Sequence, residues 1–166
     1  MSRKFTPVLL PLSMAFTFHL TVVAAQQQAD TAFAALQERG RAAMGVDQNA
    51  SKHRFDDLPD GGRIELRQTL PDSAGTAAIR AHLAGIARAF AAGDFTIPGV
   101  VHAGPVPGTR VMALKQELIG YRFRALPGGG EVRLSTRDPE ALRAVHQFLS
   151  FQRGEHRAGG SEIHTH

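Results

Sequence analysis

The chain has 166 residues, 43% of them apolar, no cysteine and a formal net charge of +4. That length suits one domain with tails and a core that needs no staples. The absence of cysteine excludes disulfides, thiol catalysis and thiolate metal ligands.

From the amino terminus, the positive start Ser2-Arg3-Lys4 and the uncharged, apolar stretch Val8–Ala25 read as an export signal. Val23 and Ala25 occupy the −3 and −1 positions of a cut before Gln26. Pro11 and His19 interrupt the run, which disfavours a retained membrane span. Residues 1–25 are thus expected to be a signal peptide, and the mature protein periplasmic or secreted. Loss of Arg3 and Lys4 would leave 17 basic against 15 acidic side chains, a net of +2, which gives no footing for nucleic acid. A polar lead then reaches Asp30, the expected N-cap of a helix running to about Met44. Phe33, Leu36, Gly40 and Ala43 share one face of that helix and Gly45 is its stop. Residues 45–52 read as a loop.

Residues 53–66, "HRFDDLPDGGRIEL", and 121–134, "YRFRALPGGGEVRL", are near-copies. An offset of 68 aligns Arg54, Phe55, Leu58, Pro59, Gly61, Gly62 and Leu66 with Arg122, Phe123, Leu126, Pro127, Gly129, Gly130 and Leu134. Each copy predicts a strand, a Pro-Gly turn and a second strand, with the glycine runs serving as turn residues. Each is followed by an Asp, Asp72 or Asp138, and an amphipathic helix, Thr76–Ala91 in the first case and Pro139 to about Gln152 in the second. The repeat therefore covers 53–91 and 121–152. The expected fold is α+β: two ββα units forming one antiparallel sheet with helices on one face, a two-layer sandwich preceded by an N-terminal helix. The domain spans 26–160. Proline and glycine make 94–109 an irregular crossover, Val111–Leu118 a short helix, and the chain after Gly154 polar and loose, ending in a flexible tail at 161–166.

Alternation assigns His53, Phe55, Ile64, Leu66, Tyr121, Phe123, Val132 and Leu134 to the face that helices must cover. Helical spacing adds an apolar stripe of Ile79, Leu83, Ile86 and Phe90, and another of Leu142, Val145 and Leu149. His82 and His146 flank these stripes, so three imidazoles, with His53, are aimed at one layer. His156 falls on the same face if the second helix continues, and His102 sits in the crossover. Converging neutral imidazoles suit Zn²⁺ or copper, and Met112 offers a soft thioether. Haem with axial histidine is the second choice. A histidine on the flank of an apolar stripe, taken alone, is usually a core or boundary residue with one hydrogen bond. The close pair His164 and His166 lies in the tail.

The opposite sheet face carries Arg54, Arg63, Arg67, Arg122, Arg124 and Arg133 against Asp56, Glu65 and Glu131. It reads either as a platform for a protein partner or polyanion, or as an exposed face with cross-strand ion pairs. No carboxylate pair has a forced geometry, and Ser51 and Ser135 lack the setting of a nucleophile. The sequence leans away from an enzyme and leaves that class open.

The stretches "MGVDQNASKHRF", "IRAHLAGIARAFAAGDF", "VHAGPVPG" and "VHQFLSFQRGEHRAG" resemble a family of small exported bacterial proteins often labelled aspartate carbamoyltransferase. The resemblance extends over nearly all of the mature chain and to His53, His82, His102, His146 and His156, and it implies a metal or haem site. It does not imply the labelled reaction. That enzyme needs two domains, and "STR" at Ser135–Arg137 lies on a hairpin strand and is followed by Asp138. The sequence thus points to an exported, non-catalytic binding protein. Its expected site uses His53, His82 and His146, with His102 and His156 as second-rank candidates. The alternatives are an interaction module on the arginine face, or a carrier of small apolar ligands.

Overall fold

The computed structural model describes residues 14–45 and 50–161. The first part of the expected signal segment, loop residues 46–49 and the tail from 162, with His164 and His166, lie outside them. The chain divides into two compact units, residues 1–34 and 35–166. The described part of the first is the leading stretch of helix α1, Met14–Met44. Asp30 is therefore mid-helix and not an N-cap. Its carboxylate accepts from Gln26 one turn earlier, at 3.2 Å. The cause is the Ala- and Gln-rich sequence around it, which contains nothing that stops a helix. The helix ends as expected at Gly45, which has φ of 66° and donates its N–H to Arg41 O at 2.9 Å. Among the described residues no helix is long and apolar enough to cross a membrane.

The second unit holds a four-stranded antiparallel sheet in the order β1-β2-β4-β3. Strands β1 (Ser51–Leu58) and β2 (Gly61–Gln68) form one hairpin, with His53 opposite Leu66 and Phe55 opposite Ile64. Strands β3 (Ile119–Leu126) and β4 (Gly129–Thr136) form the other, with Tyr121 opposite Leu134 and Phe123 opposite Val132. At the centre, β2 meets β4 so that Ile64 faces Val132, Gly62 faces Leu134 and Leu66 faces Gly130. The two hairpins are thereby placed head to tail about the Ile64–Val132 pair. The face assignment from alternation holds: Phe55, Ile64, Leu66, Val132 and Leu134 are buried.

Two long helices cover that face, α2 (Ser73–Ala91) and α5 (Pro139–Glu155). Asp138 caps α5 by accepting from Glu140 N at 3.1 Å and Ala141 N at 2.8 Å, with Pro139 in the first turn, where its missing N–H costs nothing. The α2 stripe Ile79, Leu83, Ile86 and Phe90 is buried as spaced. In α5 the buried face is Ala141, Ala144, Val145, Phe148 and Leu149, rotated away from the half-buried Leu142. Each helix packs chiefly on the hairpin of the other unit: α2 on β3 and β4, α5 on β1 and β2.

Glycine permits that exchange. A Cβ on Gly62 would collide with Leu149 Cδ1 of α5, and one on Gly130 would press on Phe123 and, more loosely, on Leu83 Cδ1 of α2. The paired glycines of the two near-copies therefore begin β2 and β4 and serve close helix–sheet approach as well as the turn.

The crossover is more regular than its composition predicts. Thr96–His102 forms α3 and Thr109–Leu114 forms α4, followed by a 3-10 turn at Gln116–Leu118. Pro98 sits in the first turn of α3, where no N–H is required, and Asp94 accepts from Thr96 N at 2.8 Å.

The end of the chain also departs from expectation. Helix α5 continues past Gly154, His156 caps it, and residues 158–161 run along the free edge of β1. Phe55 N donates to Gly159 O at 2.9 Å and Asp57 N to Ser161 O at 2.8 Å. An open strand edge exposes unpaired N–H groups, and this strap covers them. Arg153 joins strap and strand, donating to Phe55 O at 2.8 Å and Asp57 Oδ1 at 3.1 Å on β1 and to Ser161 O at 3.4 Å.

Substituting Gly62→Ala is expected to lower the free energy of unfolding by about 1–3 kcal/mol, the usual cost of overpacking a filled core. Gly154→Ala, where a Cβ meets nothing within 4 Å, is the control. Chemical denaturation of the two variants measures the difference.

Candidate functional site

The sheet, α2, α3 and the C-terminal half of α5 enclose a cavity of about 70 Å³. Its walls are apolar: Phe55, Ile64, Leu66, Leu83, Ile86, Phe90, Ile97, Val101 and Phe148. Four histidines enter it, from four different elements. His53 comes from β1, His82 from α2, His102 from the last turn of α3, and His156 from the cap of α5. Gly40 of α1, Pro98 of α3 and Gln152 of α5 complete the lining.

The imidazoles form a ring cluster. His53 and His156 have centroids 5.1 Å apart, and His156 and His102 are 5.2 Å apart at an interplanar angle of 87°. Phe55 stacks on His53 at 5.7 Å and Phe151 meets His102 edge-on at 4.9 Å. Burial in these surroundings disfavours the charged form. It lowers His53 to about 4, with nearby His82 adding to the effect, and His82 itself to about 4. Burial, with His53 and His102 beside it, lowers His156 to about 3. Burial lowers His102 too, against the opposing pull of Gln152 and Glu155. All four are neutral at physiological pH.

His102 Nε2 lies 3.1 Å from Gln152 Oε1, and with the amide in that orientation Nε2 is the donor. Its Nδ1 lone pair is left without a hydrogen bond, on a side chain that is 2% exposed. His156 Nδ1 and Gln152 Nε2 are likewise buried and unpartnered. Unpaired buried polar atoms are costly and rare in native cores, and three of them meet at this one cavity.

His146 is not part of the cluster. Its Nε2 lies 3.0 Å from Leu58 O and 2.9 Å from Gly61 O, so it donates to the carbonyls that flank the β1–β2 turn. Arg80 of α2 does the same for the other hairpin, donating to Gly129 O at 3.0 Å and Leu126 O at 2.8 Å. His146 is a clasp between a helix and the opposite hairpin. The two second-rank histidines, His102 and His156, take the place that sequence spacing assigned to it. Met112 is fully buried in the core and does not line the cavity. Among the described residues, no three His, Cys, Asp or Glu side chains already stand as a metal-holding group.

The arginine face is largely neutralised. Arg54 and Arg63 both bind Asp56, Arg67 binds Glu65, Arg124 binds Glu131 and Arg133 binds Asp60. Asp56 is only 1% exposed. Burial pushes its carboxyl up, but hydrogen bonds from Arg54, Arg63 and Ser161 outweigh it and hold the group at about 2. Arg122 alone of the six makes no ion pair among the described residues.

The chain matches no family model, no curated protein and no solved structure.

The neutral cluster makes stability pH-dependent. The unfolded imidazoles take protons near pH 6.5, and the folded ones only near 4 to 3. The unfolded state therefore binds more protons in between. The contribution is complete above about pH 6.5 and is lost as pH falls through the folded values. Urea unfolding of the metal-free protein between about pH 7.5 and pH 4.5 is expected to show steadily falling stability, and His156→Phe to flatten the fall. A profile level across that range would contradict the reading. Separately, His146→Ala leaves two turn carbonyls without their donor and is expected to cost about 1–3 kcal/mol in thermal or chemical unfolding.

Proposed function

We propose that this is a non-catalytic binding protein that holds one transition-metal ion, zinc or copper, in the cavity between sheet and helices. The observation that carries the reading is the pair of unpartnered, neutral imidazole nitrogens, His102 Nδ1 and His156 Nδ1, inside an apolar pocket. Neutral imidazole is the ligand form for these metals. A ligating histidine characteristically donates its other ring N–H to an oxygen acceptor, which fixes its orientation. His102 is held in this way by Gln152. Two imidazoles bound to one tetrahedral ion at ~2.0–2.1 Å have their centroids about 5 Å apart. The rings of His102 and His156 are 5.2 Å apart, and those of His53 and His156 5.1 Å. For one ion to be held, side-chain rotation would have to bring the nitrogens onto a common point, because no three such side chains stand as a metal-holding group among the described residues. A cavity of about 70 Å³ takes an ion with water; a haem macrocycle would have to displace α3 or the end of α5.

A second reading, a carrier of small apolar molecules, is favoured by the cavity's apolar walls. The histidines would then accept hydrogen bonds from a donor group on the ligand. The expected location remains periplasmic or secreted, where a protein without cysteine would handle these metals without thiolate.

Elemental analysis and calorimetric titration of the untagged protein, residues 26–160, separate the readings. Near one equivalent of zinc or copper is expected, abolished in His102→Ala and in His156→Ala and retained in His146→Ala. Protein that takes up neither Zn²⁺ nor copper, yet binds small aromatic probes in a His102-dependent manner, would establish the carrier instead.

A further inference from the structure

A metal site made of imidazole alone has a charge problem here. The cavity lining contains no Asp or Glu. A divalent ion in such a pocket keeps its full charge among apolar walls, which is strongly unfavourable without a paired anion. A neighbouring cation worsens the balance. Arg39 of α1 donates to Val101 O at 2.7 Å, and its positive charge acts on His102 in the same sense as burial.

One carboxylate is positioned to correct this. Glu155 closes α5, directly before His156, and its Oε2 lies 3.9 Å from the unpartnered Nδ1 of His102. Two donors on one tetrahedral ion at ~2.0–2.1 Å stand about 3.3 Å apart, so the carboxylate has roughly half an ångström to travel. Nothing holds it back: its side chain is 50% exposed and makes no other ion pair among the described residues. The backbone that would have to carry it is fixed. His156 N bonds Gln152 O at 3.0 Å, and the strap beyond is pinned to β1. Glu155 and His156 therefore approach His102 from one rigid helix end, while His102 comes from α3.

We infer that Glu155 is the anionic ligand of this site, with His102 and His156, and that the site selects a divalent ion, Zn²⁺ or Cu²⁺, over Cu⁺. The inference rests on the metal-binding reading above. A carboxylate is a hard oxygen donor that suits divalent ions, whereas monovalent copper prefers soft ligands and needs less charge compensation.

The test is competition titration of Zn²⁺, and of Cu⁺ under anaerobic conditions, against chelators of known affinity. Wild type, Glu155→Gln, Glu155→Asp and His102→Ala are compared. Glu155→Gln is expected to weaken Zn²⁺ by at least about tenfold, to leave Cu⁺ within about threefold, and to be partly rescued by Glu155→Asp. His102→Ala loses both ions. Because Glu155 is half exposed, its variants fold, and unfolding curves verify this. Unchanged Zn²⁺ affinity in Glu155→Gln, with loss in His102→Ala, overturns the carboxylate's role and leaves the imidazole site standing. Equal loss of both ions in Glu155→Gln also overturns it, since the charge argument predicts discrimination. Failure of wild type to bind either ion overturns both conclusions together.

Discussion

The sandwich depends on one contact made twice: a helix from each ββα unit laid on the hairpin of the other, close enough that a side chain at the strand's start would obstruct it. Gly62 receives Leu149 and Gly130 faces Leu83. Above each contact the helix donates to the carbonyls flanking the facing turn, through His146 in one case and Arg80 in the other. These bonds cross between units, so neither hairpin can be covered until both are present. The register at the centre, with Ile64 against Val132, follows from the same demand. A slip by one residue would turn Leu66 and Leu134 out to solvent and bring Glu65 and Arg133 under the helices.

The cavity follows from where that arrangement is less tightly filled. The apolar stripe of α2 runs from Ile79 to Phe90, and its Leu83, Ile86 and Phe90 also line the pocket. Over β1, the space is shared by the end of α5, by α3 and by the ring cluster. Polar rings are tolerated there because each is kept neutral. The strap along β1 then closes the region from outside. Gly160, at φ of 156°, leaves no room for a Cβ against Phe55 O, so the strap lies flat on the strand and His156 is held at the pocket. The fold thus positions four imidazoles from four segments of chain, separated by up to a hundred residues, without any local motif.

Much of this was legible in the sequence, because it rests on periodicity. Alternation of two identified the buried sheet face, and the spacing of Ile79, Leu83, Ile86 and Phe90 identified the buried side of α2. The near-copies at 53–66 and 121–134 announced two ββα units. What stayed hidden was contact across the chain. His146 and His82 look alike on a helical wheel, but one meets turn carbonyls and the other a cavity, and only the crossing of the helices decides which. The crossover was misjudged because Pro98 was counted as a breaker, although a proline in a first turn is compatible with a helix. The end of the chain read as loose because its glycines and polar residues have no pattern. Its order comes from the unpaired edge of β1, which no property of residues 158–161 reveals. Likewise, nothing in the composition of α1 distinguishes an N-cap at Asp30 from a helix that passes through it.

The difference between His53 and Tyr121 can now be stated physically. Both occupy the same position in their hairpins, opposite Leu66 and Leu134. On the Tyr121 side the space is filled by carbon: Phe90 meets the Tyr121 ring edge-on at 5.9 Å, and Phe95 stacks on Phe90 at 4.4 Å. Burial there raises the Tyr121 hydroxyl's pKa well above its ordinary value and leaves its oxygen without a partner, a cost that the surrounding aromatic packing offsets. On the His53 side the neighbours are His156, Phe55 and His82, and the packing leaves a void. One half of the sandwich is completed as a core, and the other is left open with four imidazole rings in its lining. Packing alone would be better served by a second phenolic or apolar ring at position 53. Imidazole at that position contributes what tyrosine cannot, a neutral nitrogen donor at physiological pH, and it stands beside His82, His102 and His156, which line the same pocket.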